Sequence, residues 1–307
     1  MLTLLLLWAQ AAASPTMSPT LYQALSQNKS SVAEALINAG ADPNSRDFHA
    51  RTPLHIATIA HGKGKQDLIR LLLAKGADPN ARDDSGASPL DEAVWRGSVE
   101  KSVLLLDAGA EINTPETKTG TTPLNEAAFR GHRNLIKLLL ARGANPGMRD
   151  HAGFLPAENA IRQHHPEVLG ILLEHESDPE LPARLMTEAV RRGQPDTVQT
   201  LLDLGTDIDA KTASGSTALY EAALKGEYEI VSLLLSRGAD VNALESASGT
   251  TPLYAAAAFG RGQVVSVLLL WGANPNLLSK DGIGPLRAAE SNKFTKIADQ
   301  LRAAGGH

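Results

Sequence analysis

Apolar residues along this chain come in short runs on a fixed beat, each run closed by a glycine and then a polar stretch. Leu71-Leu72-Leu73-Ala74-Lys75-Gly76-Ala77-Asp78-Pro79-Asn80 returns as Leu233-Leu234-Leu235-Ser236-Arg237-Gly238-Ala239-Asp240-Val241-Asn242. Aligned on its glycine, the phrase falls at Gly40, Gly76, Gly109, Gly143, Gly205, Gly238, Gly272 and Gly305, with Glu176 where one more glycine would stand. The successive gaps are 36, 33, 34, 33, 29, 33, 34 and 33 residues. A second phrase keeps the same phase: Thr52-Pro53-Leu54-His55, Ser88-Pro89-Leu90-Asp91, Thr122-Pro123-Leu124-Asn125, Thr217-Ala218-Leu219-Tyr220, Thr251-Pro252-Leu253-Tyr254 and Gly284-Pro285-Leu286-Arg287. Two markers sharing one period define an array of repeats.

Each unit spells out its own local structure. In Thr122-Pro123-Leu124 the threonine hydroxyl can accept from a free amide at a helix start, and the proline occupies the first turn, where its missing N–H costs nothing. The short helix that follows turns Leu124, Ala127 and Ala128 inward and ends at Gly131. A second helix is predicted over Leu135-Ile136-Lys137-Leu138-Leu139-Leu140, stopping at Gly143, and the Asn-, Asp- and Gly-rich stretch beyond suits an extended finger with a tight turn at its tip. One helix pair cannot cover its own apolar face, so the units must stack. The ends bear this out: Gln23, Ser26, Gln27, Asn28 and Lys29 make the first unit polar, and the last breaks its leucine run as Ile297-Ala298-Asp299-Gln300-Leu301-Arg302.

The Thr-Pro-Leu-His phrase and the Gly-Ala-Asp-x-Asn ending together resemble the ankyrin repeat, over all but the first twenty or so residues. The resemblance implies an all-α repeat solenoid: an ankyrin stack of about nine helix-turn-helix units with short β-hairpin or finger loops, capped at both ends. One repeat domain is expected over residues 20–307. The 29-residue gap, where Asp178 to Met186 leaves no room for a full finger, predicts a notch and a bend or weakened junction at 176–185.

Composition narrows the setting. Aromatic residues make up only 4%, which fits a core of Leu, Ala, Val and Ile; the net charge is −5 and no basic run exists, so no nucleic-acid-binding tail is visible. There is no cysteine, hence no disulfide and no thiolate metal site. Residues 1–13 form an apolar stretch too short to cross a bilayer, and 14–19 read as a linker. Two readings of the stretch stay open: a signal peptide cleaved near Ala13, implying export to a periplasm or the medium, or an apolar helix packed on the first repeat of a cytoplasmic protein. The mature chain carries no expectation of stable membrane insertion, and a monomer is expected when it is free.

Chemistry is sparse. None of the nine histidines shows the paired spacing of a zinc hydrolase. The resemblance gives His55 a structural role, bonded to the threonine and backbone nearby. Glu174-His175-Glu176-Ser177-Asp178 is the densest set of metal-capable groups, yet it occupies a repeat turn and reads as a solvated acidic loop. His61-Gly62-Lys63-Gly64-Lys65 lacks the spacing and the preceding strand of a phosphate loop and reads as an insertion between helices. No enzyme, cofactor or metal is therefore expected, and the sequence points to a protein-binding scaffold or adaptor. The alternative is an inhibitor or immunity-type partner of an exported enzyme.

In an ankyrin stack, the resemblance implies, the two residues before each inner helix's terminal glycine face a concave side. That slot reads Trp95-Arg96, Phe129-Arg130, Arg162-Gln163, Arg191-Arg192, Leu224-Lys225 and Ala258-Phe259. Phe48 and Arg51, with Asp84, Lys118 and Lys280, are finger candidates. Arg, Trp and Phe are enriched at interface centres, and the arginines would favour an acidic partner segment. Equally, Arg and Lys stems at this slot can simply cover neighbouring apolar surface.

Overall fold

The computed structural model describes residues 19–62 and 64–307. These residues divide into two compact units. The first runs to Gln163, includes Glu174–Glu176, and contains α1 (Pro19–Ser26), α2 (Ser30–Asn38), α3 (Pro53–Ile59), α4 (Lys65–Ala74), α5 (Pro89–Trp95), α6 (Val99–Asp107), α7 (Pro123–Phe129), α8 (Arg133–Ala141) and α9 (Pro156–Arg162). The second comprises His164–Leu173 and the chain from Ser177. In it a 3-10 turn (Pro166–Val168) leads into α10 (Leu169–Leu173), followed by α11 (Leu181–Arg191), α12 (Pro195–Asp203), α13 (Ala218–Lys225), α14 (Tyr228–Ser236), α15 (Pro252–Ala258), α16 (Gly262–Leu270), α17 (Pro285–Ser291) and α18 (Thr295–Ala303). Residues 1–13, expected to be a signal, lie outside the described residues, as does most of the expected linker; Pro19 already belongs to α1.

Within the first unit, α3 packs on α1 and α5, and α7 on α5 and α9, while α4, α6 and α8 form a parallel row behind them. The second unit repeats the arrangement in α11, α13, α15 and α17, backed by α12, α14, α16 and α18. Leu54, Leu90 and Leu124 lie buried at matching positions of the front row, and Leu72, Leu105 and Leu139 at matching positions of the back row. Burying such a leucine contributes roughly 2 kcal/mol before the entropy of ordering is subtracted.

The entry phrase works as its residues suggest. Ser88 accepts from the Asp91 amide at 3.2 Å and Thr122 from the Asn125 amide at 3.2 Å, with Pro89 and Pro123 in the first turn. The fourth residue of the phrase returns the favour. The Thr52 amide donates to His55 Nδ1 at 3.1 Å, which makes that nitrogen the acceptor and leaves Nε2–H to reach the Ala87 carbonyl, 3.1 Å away in the next repeat. Burial disfavours the imidazolium and lowers the pKa of His55, so the ring is neutral and structural.

The Gly-Ala-Asp-x-Asn ending has a second task. Asn44 Nδ2 donates to the Gly76 carbonyl at 2.8 Å while its Oδ1 accepts the Asp78 amide at 2.8 Å, so one side chain clasps the same phrase one repeat later. Asn80 holds Gly109 and Glu111, Asn113 holds Gly143 and Asn145, and Asn276 holds Gly305 and His307 in the same way. Gly147, Glu180 and Asp209 stand at this place in other repeats, and Asp209 shows what is lost. Its carboxylate can only accept, from the Asp240 amide at 3.1 Å, and its pKa is raised chiefly by burial, with Asp240 and Asp207 adding repulsion.

Of the two expected forms, the fingers are tight-turn loops and not β-hairpins. Among the described residues there is no strand, only an isolated bridge at Arg46. Each finger doubles back too soon for a ladder: Asp83 N meets the Ala87 carbonyl at 3.0 Å, and the Asp83 carboxylate takes up the Ser85 and Ala87 amides inside the loop. The shortened spacing near 176–185 corresponds to a five-residue α10 and an eleven-residue α11 that starts without a Thr-Pro entry. The insertion at 60–64 places Lys65 at the start of α4, where it is buried and donates to Ser30 Oγ at 2.8 Å.

Candidate partner-binding site

Trp95 closes α5 and Phe129 closes α7, equivalent positions in adjacent repeats. Both stay out of the core: Trp95 is 48% and Phe129 37% exposed. The Arg130 guanidinium lies 4.4 Å from the centre of the Trp95 ring and that of Arg96 5.1 Å from it, a cation–π arrangement that fixes the indole. These four side chains border an open pocket of about 420 Å³ between the two repeats. Its lining also includes Ser85, Ala87, Thr119, Thr121 and Thr122, from the fingers before α5 and α7 and the start of α7.

The remaining expected site residues are placed differently. Arg162 stacks on the Phe154 ring at 3.9 Å, and Arg51 is bound to Asp47 at 2.8 Å. Phe48, 77% exposed, meets the rings of Tyr22 and His49. In the second unit Arg191 and Arg192 both pair with Glu188, and burial's upward push on that carboxyl is outweighed by the two guanidiniums, so its pKa is lowered. Lys225 Nζ donates to the Arg191 carbonyl, and the Leu224 carbonyl accepts from Arg261 Nε at 3.0 Å. Phe259, in the second unit, is more than half exposed. Lys280 is held by the Ser246 and Ala247 carbonyls.

At the pocket the expected arginines stand among carboxylates. Arg96 faces Glu92 at 3.6 Å and Arg130 is bonded to Glu126, each a helix turn back. Two further carboxylates, Asp91 and Glu116, line the same space. Four carboxylates against two guanidiniums give the pocket a formal charge of −2. The sequence carried a signal for half of this, since Glu92 and Glu126 stand four residues before Arg96 and Arg130. Nothing in the repeat phase marked Glu116, which reaches the site from a finger.

Asp91 is the most perturbed of these groups. Burial raises its pKa to about 6, with Glu116 pushing the same way; the Ser88 amide, 2.7 Å away, the Ser88 hydroxyl and Arg82 at 3.4 Å only partly compensate. Its folded-state value exceeds the unfolded one, so the penalty is absent below about pH 4 and complete above about pH 6. The next repeat performs the same capping with neutral Asn125. Asp91→Asn is therefore expected to abolish most of the stability loss between pH 4 and 6, and to stabilise the first unit at pH 7 by at most about 3 kcal/mol. Urea titrations of both proteins at pH 4 and pH 7 check this; an equal difference at both pH values would contradict it.

Helix pairs on a fixed period, stacked through a cap and a clasp that recur in phase, define a helical repeat scaffold that leaves an aromatic pair exposed. Among the described residues no group of three or more His, Asp or Glu side chains could hold a metal ion, and no helix is long and apolar enough to cross a membrane. The profile of the family described as "Ankyrin repeats (3 copies)" matches residues 21–116, 104–183 and 186–279, and the chain belongs to the ankyrin-repeat family. It is 33% identical over 101 residues to the potassium channel AKT2/3 of Arabidopsis thaliana, covering 32% of this chain and 13% of the channel. It is 45% identical over 58 residues to protein PhlB of Serratia liquefaciens, 19% of this chain and 26% of that protein. It is also 46% identical over 55 residues to ankyrin repeat domain-containing protein 29 of Danio rerio, 18% of each. The chain spans at most about a quarter of the length of these relatives. Ankyrin repeats are protein–protein interaction modules, and the family is a non-enzymatic interaction fold.

Proposed function

We propose that this chain is a non-enzymatic scaffold that holds a partner protein on the face bearing Trp95 and Phe129. The observation that carries the reading is the exposure of two large aromatic side chains around an open pocket, in a chain with only 4% aromatic residues. Leaving them in water has no folding benefit, whereas covering them would contribute as interface hot spots do. Their preset geometry adds to this: Arg96 and Arg130 already hold the indole, so little rotamer freedom is lost on contact.

The test is affinity capture from the native source with the wild-type chain and a Trp95→Ala/Arg130→Ala double variant. The variant is expected to lose its specific partner by tenfold or more, about 1.4 kcal/mol or above, while retaining the wild-type circular dichroism. Recovery of the same partners in equal yield would refute the proposal.

A further inference from the structure

We infer that the Trp95–Phe129 pocket receives a cationic side chain, arginine or lysine, presented by the partner protein. The inference rests on the proposed role of this face and specifies the chemistry of what enters it.

The charge inventory decides the sign. The two pocket guanidiniums are already engaged, Arg130 with Glu126 and with the face of Trp95, Arg96 with Glu92. Each thus already faces a carboxylate of its own helix, while Arg96 Nε has no hydrogen-bond partner among the described residues. Glu116, by contrast, accepts a hydrogen bond from Thr119 Oγ1 and, among the described residues, has no cation within ion-pair distance. Asp91 beside it has a side chain 15% exposed, and its cation, Arg82, is no nearer than 3.4 Å. Two neighbouring carboxylates short of positive charge, one of them largely desolvated, form a site whose electrostatic deficit an incoming cation would relieve.

The shape agrees with the charge. Arginine and lysine carry a long apolar stem below a charged head. In this pocket Trp95 and Phe129 supply apolar lining, and carboxylates come from Glu116 on a finger and from Asp91 in the first turn of α5, 3.4 Å from Arg82. The stem would pack on the rings while the head reaches Glu116 and Asp91. A carboxylate-bearing side chain entering the same space would meet four carboxylates, and an aliphatic one would leave the deficit untouched. The raised pKa of Asp91 is consistent with this arrangement, because a group kept ionised against burial is stabilised when a positive charge arrives.

The probe is an array of immobilised nonapeptides of random background with one fixed central residue, Arg, Lys, Glu, Asp or Leu, incubated with the full chain. Arg- and Lys-centred peptides are expected to retain about fivefold more protein than the other three, and Glu116→Gln, which keeps the contact with Thr119, to reduce that preference to about twofold or less. Trp95→Ala is expected to lower retention on every Arg and Lys spot. Equal retention on Glu- or Leu-centred peptides, or an Arg preference unchanged in Glu116→Gln, would overturn the inference. Should the charge preference be absent while the Trp95→Ala/Arg130→Ala variant still loses its native partner, the interaction face stands and the cationic occupant falls. If that variant also keeps its partner, both fall.

Discussion

Leu124→Ala is expected to lower the stability of the first unit by about 3–5 kcal/mol. Leu124 is 1% exposed in α7, which packs against α5, α8 and α9, so its side chain is enclosed by helices from three repeats. The alanines beside it, Ala127 and Ala128, are fully buried and cannot expand to fill the void. Neighbouring helices are also pinned by caps and side-chain clasps, which limits collapse. The cost should therefore sit at the upper part of the range for a buried leucine. Leu301 offers the contrast: it is equally buried in α18, but that helix packs chiefly on α17 and α16. Leu301→Ala should cost about 2–3 kcal/mol, because a terminal repeat relaxes more freely. Urea unfolding followed by far-ultraviolet circular dichroism reports both; a Leu124→Ala midpoint within experimental error of wild type would contradict the stacking described here.

Gly120→Ala should be nearly as damaging, at about 3–5 kcal/mol, for a different reason. Gly120 has φ +68°, where an L-residue is strained, and an added Cβ would come within 2.3 Å of His151 Cδ2 and 2.7 Å of the His151 backbone nitrogen. That nitrogen donates to the Thr119 carbonyl at 2.9 Å, so the finger of one repeat is seated against the tip of the previous one. Gly153 provides the control. It has φ +84° at a finger position but open space around it, so Gly153→Ala should cost only the backbone term, about 1–2 kcal/mol. The difference between the two variants measures finger seating, and thermal melts of both determine it. Because Glu116, Thr119 and Thr121 sit on the displaced finger, Gly120→Ala should also weaken partner capture, although its site lies outside the aromatic pair.

The fold was readable because its signals are local and repeated. A Thr-Pro entry, inward leucines and alanines, and a glycine stop each act within a few residues, and the period supplied the rest. Finger structure was less readable, since hairpin and turn share the same Asn, Asp and Gly vocabulary and only the loop's actual closure distinguishes them. At the site, Trp95 and Phe129 emerged from their slot in the repeat, but the electrostatics did not. A slot-by-slot reading sees Arg96 and Arg130 and misses the glutamates one turn earlier that neutralise them. It also misses Glu116, whose approach to Asp91 depends on where a finger comes to rest. Arg51, Arg191 and Arg192 are paired for the same reason: a guanidinium finds the nearest carboxylate, and Asp47 and Glu188 were within reach.

The asparagine clasp bears on how such a chain changes length. The phrase that carries Asn80 is held by Asn44 through the Gly76 carbonyl and the Asp78 amide, and Asn80 in turn holds the Gly109 carbonyl and the Glu111 amide of the next repeat. A segment cut from one asparagine to the next thus has matching sockets at both ends, and whole modules can be gained or lost without leaving an unmet donor. At Asp209 the socket lacks its donor, so growth or loss across that point leaves the Gly238 carbonyl without the partner that asparagine gives its counterparts.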